Sequence, residues 1–143
     1  MRRSALLVAL LVLTGCSASS DPLPGSERDY PQVDIPGFSV PGKSINVQTE
    51  DVLLFDYATE DATSADLVRL ADDGRRIGGM ELPWSRESAV HIFATGRQIA
   101  VYVGSTVAVL NALLTEGGEQ IVGDPLPKGV ELPASSASSS SAS

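Results

Sequence analysis

The chain predicts an α+β domain in the form of a two-layer sandwich, an antiparallel sheet with two helices on one face, close to ferredoxin-like arrangements. Three stretches carry that expectation. "SAVHIFATGRQIAVYVG", residues 88 to 104, sets two β-rich runs around a glycine turn. "DVLLFDY", residues 51 to 57, reads as an apolar strand. From Ser105 onward, Val107, Leu110, Leu113 and Leu114 recur at helical spacing. With the low-complexity ends set aside, about 90 residues are left, enough for one small core and too few for two.

In chain order, Phe38 to Val40 and Ser44 to Gln48 flank "PGK", whose Pro41-Gly42 pair suits a tight turn, so a short hairpin is expected first. The apolar strand follows. Thr59 then stands as a helix N-cap, with Glu60 and Asp61 in the first turn favouring the dipole. Leu67, Leu70 and Ala71 supply the inward stripe, and the helix is expected to stop near Gly74. "RIGGMEL", residues 76 to 82, leaves room for a short strand.

In the long hairpin, a loop at Thr95-Gly96 sets Phe93 opposite Gln98, Ile92 opposite Ile99 and His91 opposite Ala100. Alternation then sorts Val90, Ile92, Ile99, Val101 and Val103 onto one face, and His91, Phe93, Gln98, Ala100 and Tyr102 onto the other. A one-residue slip would exchange the two sets. Ser105 caps the closing helix, which ends at Gly117-Gly118 and whose apolar stripe is expected to cover the β-branched face.

The two ends of the chain have a different character. Arg2 and Arg3 precede a nine-residue apolar run, Ala5 to Leu13, and then Thr14, Gly15 and Cys16, the layout of a secretory signal. A spanning helix needs about 20 apolar residues, so a permanent transmembrane segment is the weaker reading. Leu13-Thr14-Gly15-Cys16 resembles the bacterial lipobox. That resemblance implies cleavage before Cys16 and a diacylglyceryl group on its sulfur. Two acyl chains on one residue suffice for stable attachment. Residues 1–15 thus read as a signal peptide and 16–36 as a lipidated cysteine and flexible tether. The domain is expected over 37–124, followed by a disordered Pro/Ser-rich tail over 125–143. The expected location is the outer side of the cytoplasmic membrane, or the outer membrane where the host has two.

Composition narrows the chemistry further. Removing the first 15 of 143 residues leaves 128 and, with Arg2 and Arg3 gone, takes the formal charge from −8 to −10. Such an acidic chain is a poor fit to nucleic acid, which demands an excess of Lys and Arg. Cys16 is the only cysteine and His91 the only histidine, so neither a disulfide nor a Cys/His metal set is expected, and no cofactor motif occurs.

The pattern "GRRIGG…W…VHIF.TGRQIAVYVGS…VL.ALL", spanning roughly Phe38 to Gly123, resembles a loose group of small bacterial lipoproteins. It rests on Trp84, on His91 and Phe93 split by Ile92, and on Tyr102-Val103-Gly104. The resemblance implies fold and location and assigns no activity.

His91 is the first side chain any acid–base mechanism would use, but no G-x-S-x-G elbow or triad partner accompanies it. Glu60, Asp61, Asp66 and Asp72-Asp73-Gly74 lack the ligand spacing of a calcium loop and read as solvated helix surface. "GRRIGG", residues 74 to 79, lacks the phosphate-loop spacing and reads as a turn into a strand. The surface with most character is the second hairpin face. His91, Phe93 and Tyr102, with Arg97 near the turn and Trp84 before it, gather the residue types enriched at interaction hot spots. The bland alternative is that another segment covers this face.

Three functions remain open. The first is a non-catalytic, lipid-anchored envelope domain that binds a protein, peptide or cell-wall partner. The second is a small enzyme using His91 with a carboxylate, and the third a ligand-free structural lipoprotein.

Overall fold

A computed structural model describes residues 31–133. The segment read as a signal peptide, Cys16 and the serine-rich end at 134–143 lie outside the described residues. The elements are β1 (Gln32–Val33), β2 (Gly42–Val47), β3 (Glu50–Asp56), α1 (Glu60–Leu67), β4 (Arg76–Ile77), β5 (Met80–Glu81), β6 (Val90–Thr95), β7 (Gln98–Val103), α2 (Val107–Thr115) and β8 (Glu119–Gly123). Six strands form one antiparallel sheet in the order β1-β2-β3-β7-β6-β8, and β4 and β5 pair separately. The α+β class and the antiparallel sheet are as the sequence predicts.

The β6–β7 hairpin closes one residue later than the sequence reading sets it. Thr95 pairs with Gln98, so Gly96 and Arg97 form the loop, and Gly96 takes φ +51 at its first position. That is where a two-residue II′ turn needs glycine. Ile92 consequently faces Val101, two residues from its expected partner. Because the displacement is even, the side-chain parity survives, and the two predicted faces are the observed ones.

What lies over those faces differs from expectation. Val109, Leu110, Leu113 and Leu114 of α2 pack on Ile45, Val47, Val52, Leu54, Phe93, Ala100 and Tyr102, not on the β-branched set. Burying Leu110 and Leu113 completely contributes about 1.5–3 kcal/mol each. The β-branched set, with Phe55, is covered instead by Tyr57, Leu70, Ile77 and Leu82, with Ala62 and Leu67 of α1 packed against them. The two helices therefore sit on opposite faces of the sheet.

Connection geometry explains this layering. β3-α1-β6 and β7-α2-β8 each join parallel strands with one strand between them. Both crossovers step in the same direction across the sheet, while β3 and β7 run in opposite directions. Crossovers of one hand must then fall on opposite faces. In a ferredoxin-like sheet the last strand would join the edge beside β3, which would bring both helices to one side. Here it joins β6.

Several boundaries also move. The first hairpin is β2–β3, turning at Gln48 and Thr49 with φ +50 and +73, and Phe38 to Val40 is not a strand. Positive φ at both loop positions is the I′ geometry usually given to Asn and Gly. The expected tether contributes β1, which pairs Gln32 with Lys43, so the fold begins before Gly37. Thr59 caps α1 as expected, accepting from the Ala62 N–H at 3.1 Å, but the helix ends at Leu67, well before Gly74. Thr106, not Ser105, precedes α2. At the other end, Leu126 and Val130 pack on the α2 cluster and the Glu131 N–H bonds Asn111 at 2.9 Å, so the packed structure continues past the domain boundary expected at Asp124.

Candidate functional site

The predicted patch lies in the core. His91, Phe93 and Tyr102 are each 0% exposed, lying on the sheet face that α2 covers. They present no surface to a partner or substrate.

Tyr102 has a structural assignment. Its hydroxyl donates to one Glu50 carboxylate oxygen and accepts the Thr106 N–H at 3.1 Å, while the Thr106 hydroxyl donates to the other Glu50 oxygen. The start of β3 is thereby tied to the start of α2. The Thr106 and Tyr102 donors hold the Glu50 carboxyl below its ordinary pKa, and burial together with Glu50 raises that of Tyr102. Gly104 lies under the same ring: a Cβ there would sit 2.5 Å from the Tyr102 oxygen. The Tyr-Val-Gly triplet is thus a packing requirement.

His91 lies opposite Tyr102, with ring centroids 6.4 Å apart, and opposite Gly123 of β8. Among the described residues neither ring nitrogen has a partner in hydrogen-bond geometry, and the nearby Gln120 leaves its Oε1 unpartnered while its Nε2 donates to the Asp124 carbonyl at 2.8 Å. Burial pushes the His91 pKa below its ordinary value, opposed by Asp124 and Gln120. The Asp124 carboxylate itself is engaged by the Val90 N–H at 2.8 Å and by Arg75 at 3.1 Å.

The other two predicted contacts are separate from this trio. Arg97 is exposed in the β6–β7 loop, donating to the Ala58 carbonyl at 3.3 Å, and its own carbonyl accepts the Tyr57 N–H at 2.8 Å. Trp84 packs on the opposite, β-branched side of the sheet, and its indole N–H donates to the Gly74 carbonyl at 2.9 Å.

Asp66, read as solvated, is buried. It accepts from the Ser39 N–H at 2.7 Å, the Ser39 hydroxyl at 2.8 Å, the Tyr57 hydroxyl at 2.9 Å and Arg69 at 2.9 Å. Burial alone would raise its pKa; the Ser39 donors, Tyr57 and Arg69 overcome this and hold it below the ordinary carboxylate range. Burial and the Asp66 bond in turn push the Tyr57 hydroxyl well above its ordinary value.

The surface feature with chemical character is a polar groove of about 410 Å³ around Trp84, lined by Asp73, Arg75, Arg76, Glu81, Leu82 and Arg86. Its walls follow from local sequence. The Asp73 carboxylate accepts the Arg75 N–H at 3.0 Å, closing a turn through Gly74. Gly78 and Gly79, both at positive φ, make the β4–β5 hairpin, which sets Arg76 opposite Glu81. Arg75 then organises the floor, donating to the Ser85 carbonyl at 2.9 Å, the Ser88 carbonyl at 2.7 Å and Asp124 at 3.1 Å. Arg86 reaches back to Glu81 at 2.9 Å. The glycines of "GRRIGG" are turn residues, as read; the gathering of its arginines with Arg86 and Trp84 depends on the hairpin and the loop after it, which no local spacing reveals.

A second, mainly apolar hollow of about 640 Å³ lies between the end of α2 and the C-terminal segment, lined by residues including Leu114, Gln120, Leu126 and Leu132. Among the described residues no three His, Cys, Asp or Glu side chains gather as a metal site requires, and no helix is long and apolar enough to cross a membrane. No family model, curated protein or solved structure matches the chain.

Proposed function

We propose that this protein is a lipid-anchored, extracytoplasmic domain of the bacterial cell envelope whose work is binding, and that the groove around Trp84 is its contact surface. The lipobox-like segment ending in Cys16 supports the anchor, and the proline- and serine-rich stretch after it supports a domain held off the membrane. The observation that carries the binding reading is the groove itself. It gathers Arg75, Arg76 and Arg86 beside a half-buried tryptophan, on a chain of formal charge −8. Arginine and tryptophan dominate binding energy at interfaces because both combine large contact area with directional polar groups. Of the predicted contacts, Trp84 keeps its place in this reading; His91, Phe93 and Tyr102 pass to the core, and Arg97 to the β6–β7 turn.

The test is photo-crosslinking in intact cells from a probe at Met80, on the exposed rim of the hairpin, in the native chain and in a Trp84→Ala/Arg86→Ala variant. A discrete adduct lost only in the variant, with folding retained by circular dichroism, is the expected result. An adduct indifferent to both changes would sink the groove as the contact surface. Intact-mass measurement of the same preparation, beside Cys16→Ser, reads the lipid: the acyl increment is expected on the native chain alone.

A further inference from the structure

Resting on the groove as the contact surface, we infer that its ligand is a carboxylate-bearing peptide segment of a partner protein, held by Arg76 and Arg86 against Trp84. The three arginines differ in what they have left to offer. Arg75 is engaged by the Ser85 and Ser88 carbonyls and by Asp124, so it shapes the groove floor. The Arg76 side chain is exposed and makes no ion pair or hydrogen bond among the described residues. Arg86 holds Glu81 through a bridge whose side chains are 84% and 73% exposed. An exposed bridge of that kind contributes little and exchanges readily.

The Glu81 contact also indicates the ligand chemistry. A carboxylate already sits on Arg86 inside the groove, so an incoming carboxylate finds a fork whose present occupant is weakly held. Asp73 and Glu81 line the groove with the three arginines, leaving it only slightly cationic. Guanidinium forks suit carboxylate and phosphate alike, and what favours a carboxylate here is the Glu81 carboxylate that Arg86 already holds at 2.9 Å. The Trp84 ring is fixed by its bond to the Gly74 carbonyl, and Met80 is 48% exposed on the adjoining hairpin. Together they offer apolar contact to a side chain beside the acid, which favours a peptide over a bare carboxylate.

Trp84 is the single tryptophan of the chain, so its emission reports on this groove and on nothing else. The probe is a synthetic peptide of alternating glutamate and leucine, titrated against the full chain, with a glycerol-phosphate polymer as the second arm. Saturable change in emission with the peptide is expected. Arg76→Glu and Arg86→Glu should each weaken it by about tenfold, as charge-assisted contacts of this type do. Glu81→Gln should tighten it by about threefold, because it frees Arg86 of its internal competitor. All three positions are exposed, so the fold is expected to survive, and circular dichroism checks that it does. Unchanged or weaker binding by Glu81→Gln overturns the inference. So does binding of the phosphate polymer in place of the peptide, or of neither probe, while the cellular crosslink still depends on Trp84 and Arg86; in those two cases the groove stands and the ligand class fails. If the crosslink too ignores those residues, the groove fails with it.

Discussion

Asp66 accepts the Tyr57 hydroxyl at 2.9 Å, and this bond joins α1 to the residue just after β3. The same carboxylate takes both donors of Ser39, so the segment before β2 is secured at the same point. Replacing Asp66 by Asn keeps the shape and removes the charge. A loss of about 1–3 kcal/mol is expected in urea denaturation, since the buried Tyr57 hydroxyl and the Ser39 and Arg69 donors are left with a weaker acceptor. Asp66→Glu, which displaces the carboxylate by one methylene, should not restore it.

The charge on Asp66 also predicts a pH dependence. Its folded pKa is lowered, so as pH falls the unfolded chain takes up the proton first. The stabilisation is complete above the unfolded value of about 4 and is lost as pH falls from there through the folded value. Chemical denaturation midpoints measured at pH 5 and pH 3 should separate in the native chain by more than in Asp66→Asn.

His91 acts in a higher window. Its folded pKa is lowered by burial, so the unfolded state gains a proton first once pH drops below about 6.5. Stability is full above that pH and declines as the medium acidifies toward the folded value. His91→Phe, similar in shape and without unpartnered nitrogens, should leave stability at pH 7.5 intact or higher and flatten the decline between about pH 6.5 and 5. A decline as steep as the native one would show that another group drives it.

Gly104→Ala brings a methyl group to 2.5 Å from the Tyr102 oxygen and 2.7 Å from its Cζ. A destabilisation of about 1–3 kcal/mol is expected, the usual cost of overpacking. Adding Tyr102→Phe should relieve only part of it, because the ring carbon still clashes. Thermal melts of the single and double variants measure the difference.

Arg75→Lys keeps the charge and removes the fork that binds the Ser85 and Ser88 carbonyls together. The loop that carries Trp84 should loosen, giving a red-shifted tryptophan emission and weaker groove binding without global unfolding. Unaltered emission would mean that Arg75 does not hold this loop.

The hairpin faces were legible in the sequence because parity is robust. The turn moved from Thr95-Gly96 to Gly96-Arg97, yet every side chain kept its side, since pairing moved by two residues. The Thr59 cap and the Leu110, Leu113 and Leu114 stripe were equally local, and equally readable. Which face that stripe covers was not local: it depends on β8 docking beside β6, and β8 carries Gln120 and an exposed Ile121 where an apolar alternation would have announced a strand. Asp66 escaped for a related reason. Its partners Ser39 and Tyr57 lie 27 and 9 residues away, outside any helical pattern. For the site, Trp84 was visible as a residue type, but its separation from His91 and its company with Arg86 are products of the folded loop.

The way β1 joins the sheet bears on how the domain would carry load. Two residue pairs hold β1 to β2, with one further bond from the Ser44 N–H to the Pro31 carbonyl at 3.3 Å. Tension drawn from the N-terminal side would reach these contacts first and open them in succession. It would then meet Phe38, stacked on Phe55 at 4.0 Å, and Ser39, bonded to Asp66. Ile35, packed on the core cluster, would have to give way before that stop, and segment 31–36 then spans at most roughly 20 Å. The sheet and the groove around Trp84 would keep their shape under the pull, so under the anchored binding role proposed above the domain would gain reach without losing its contact surface.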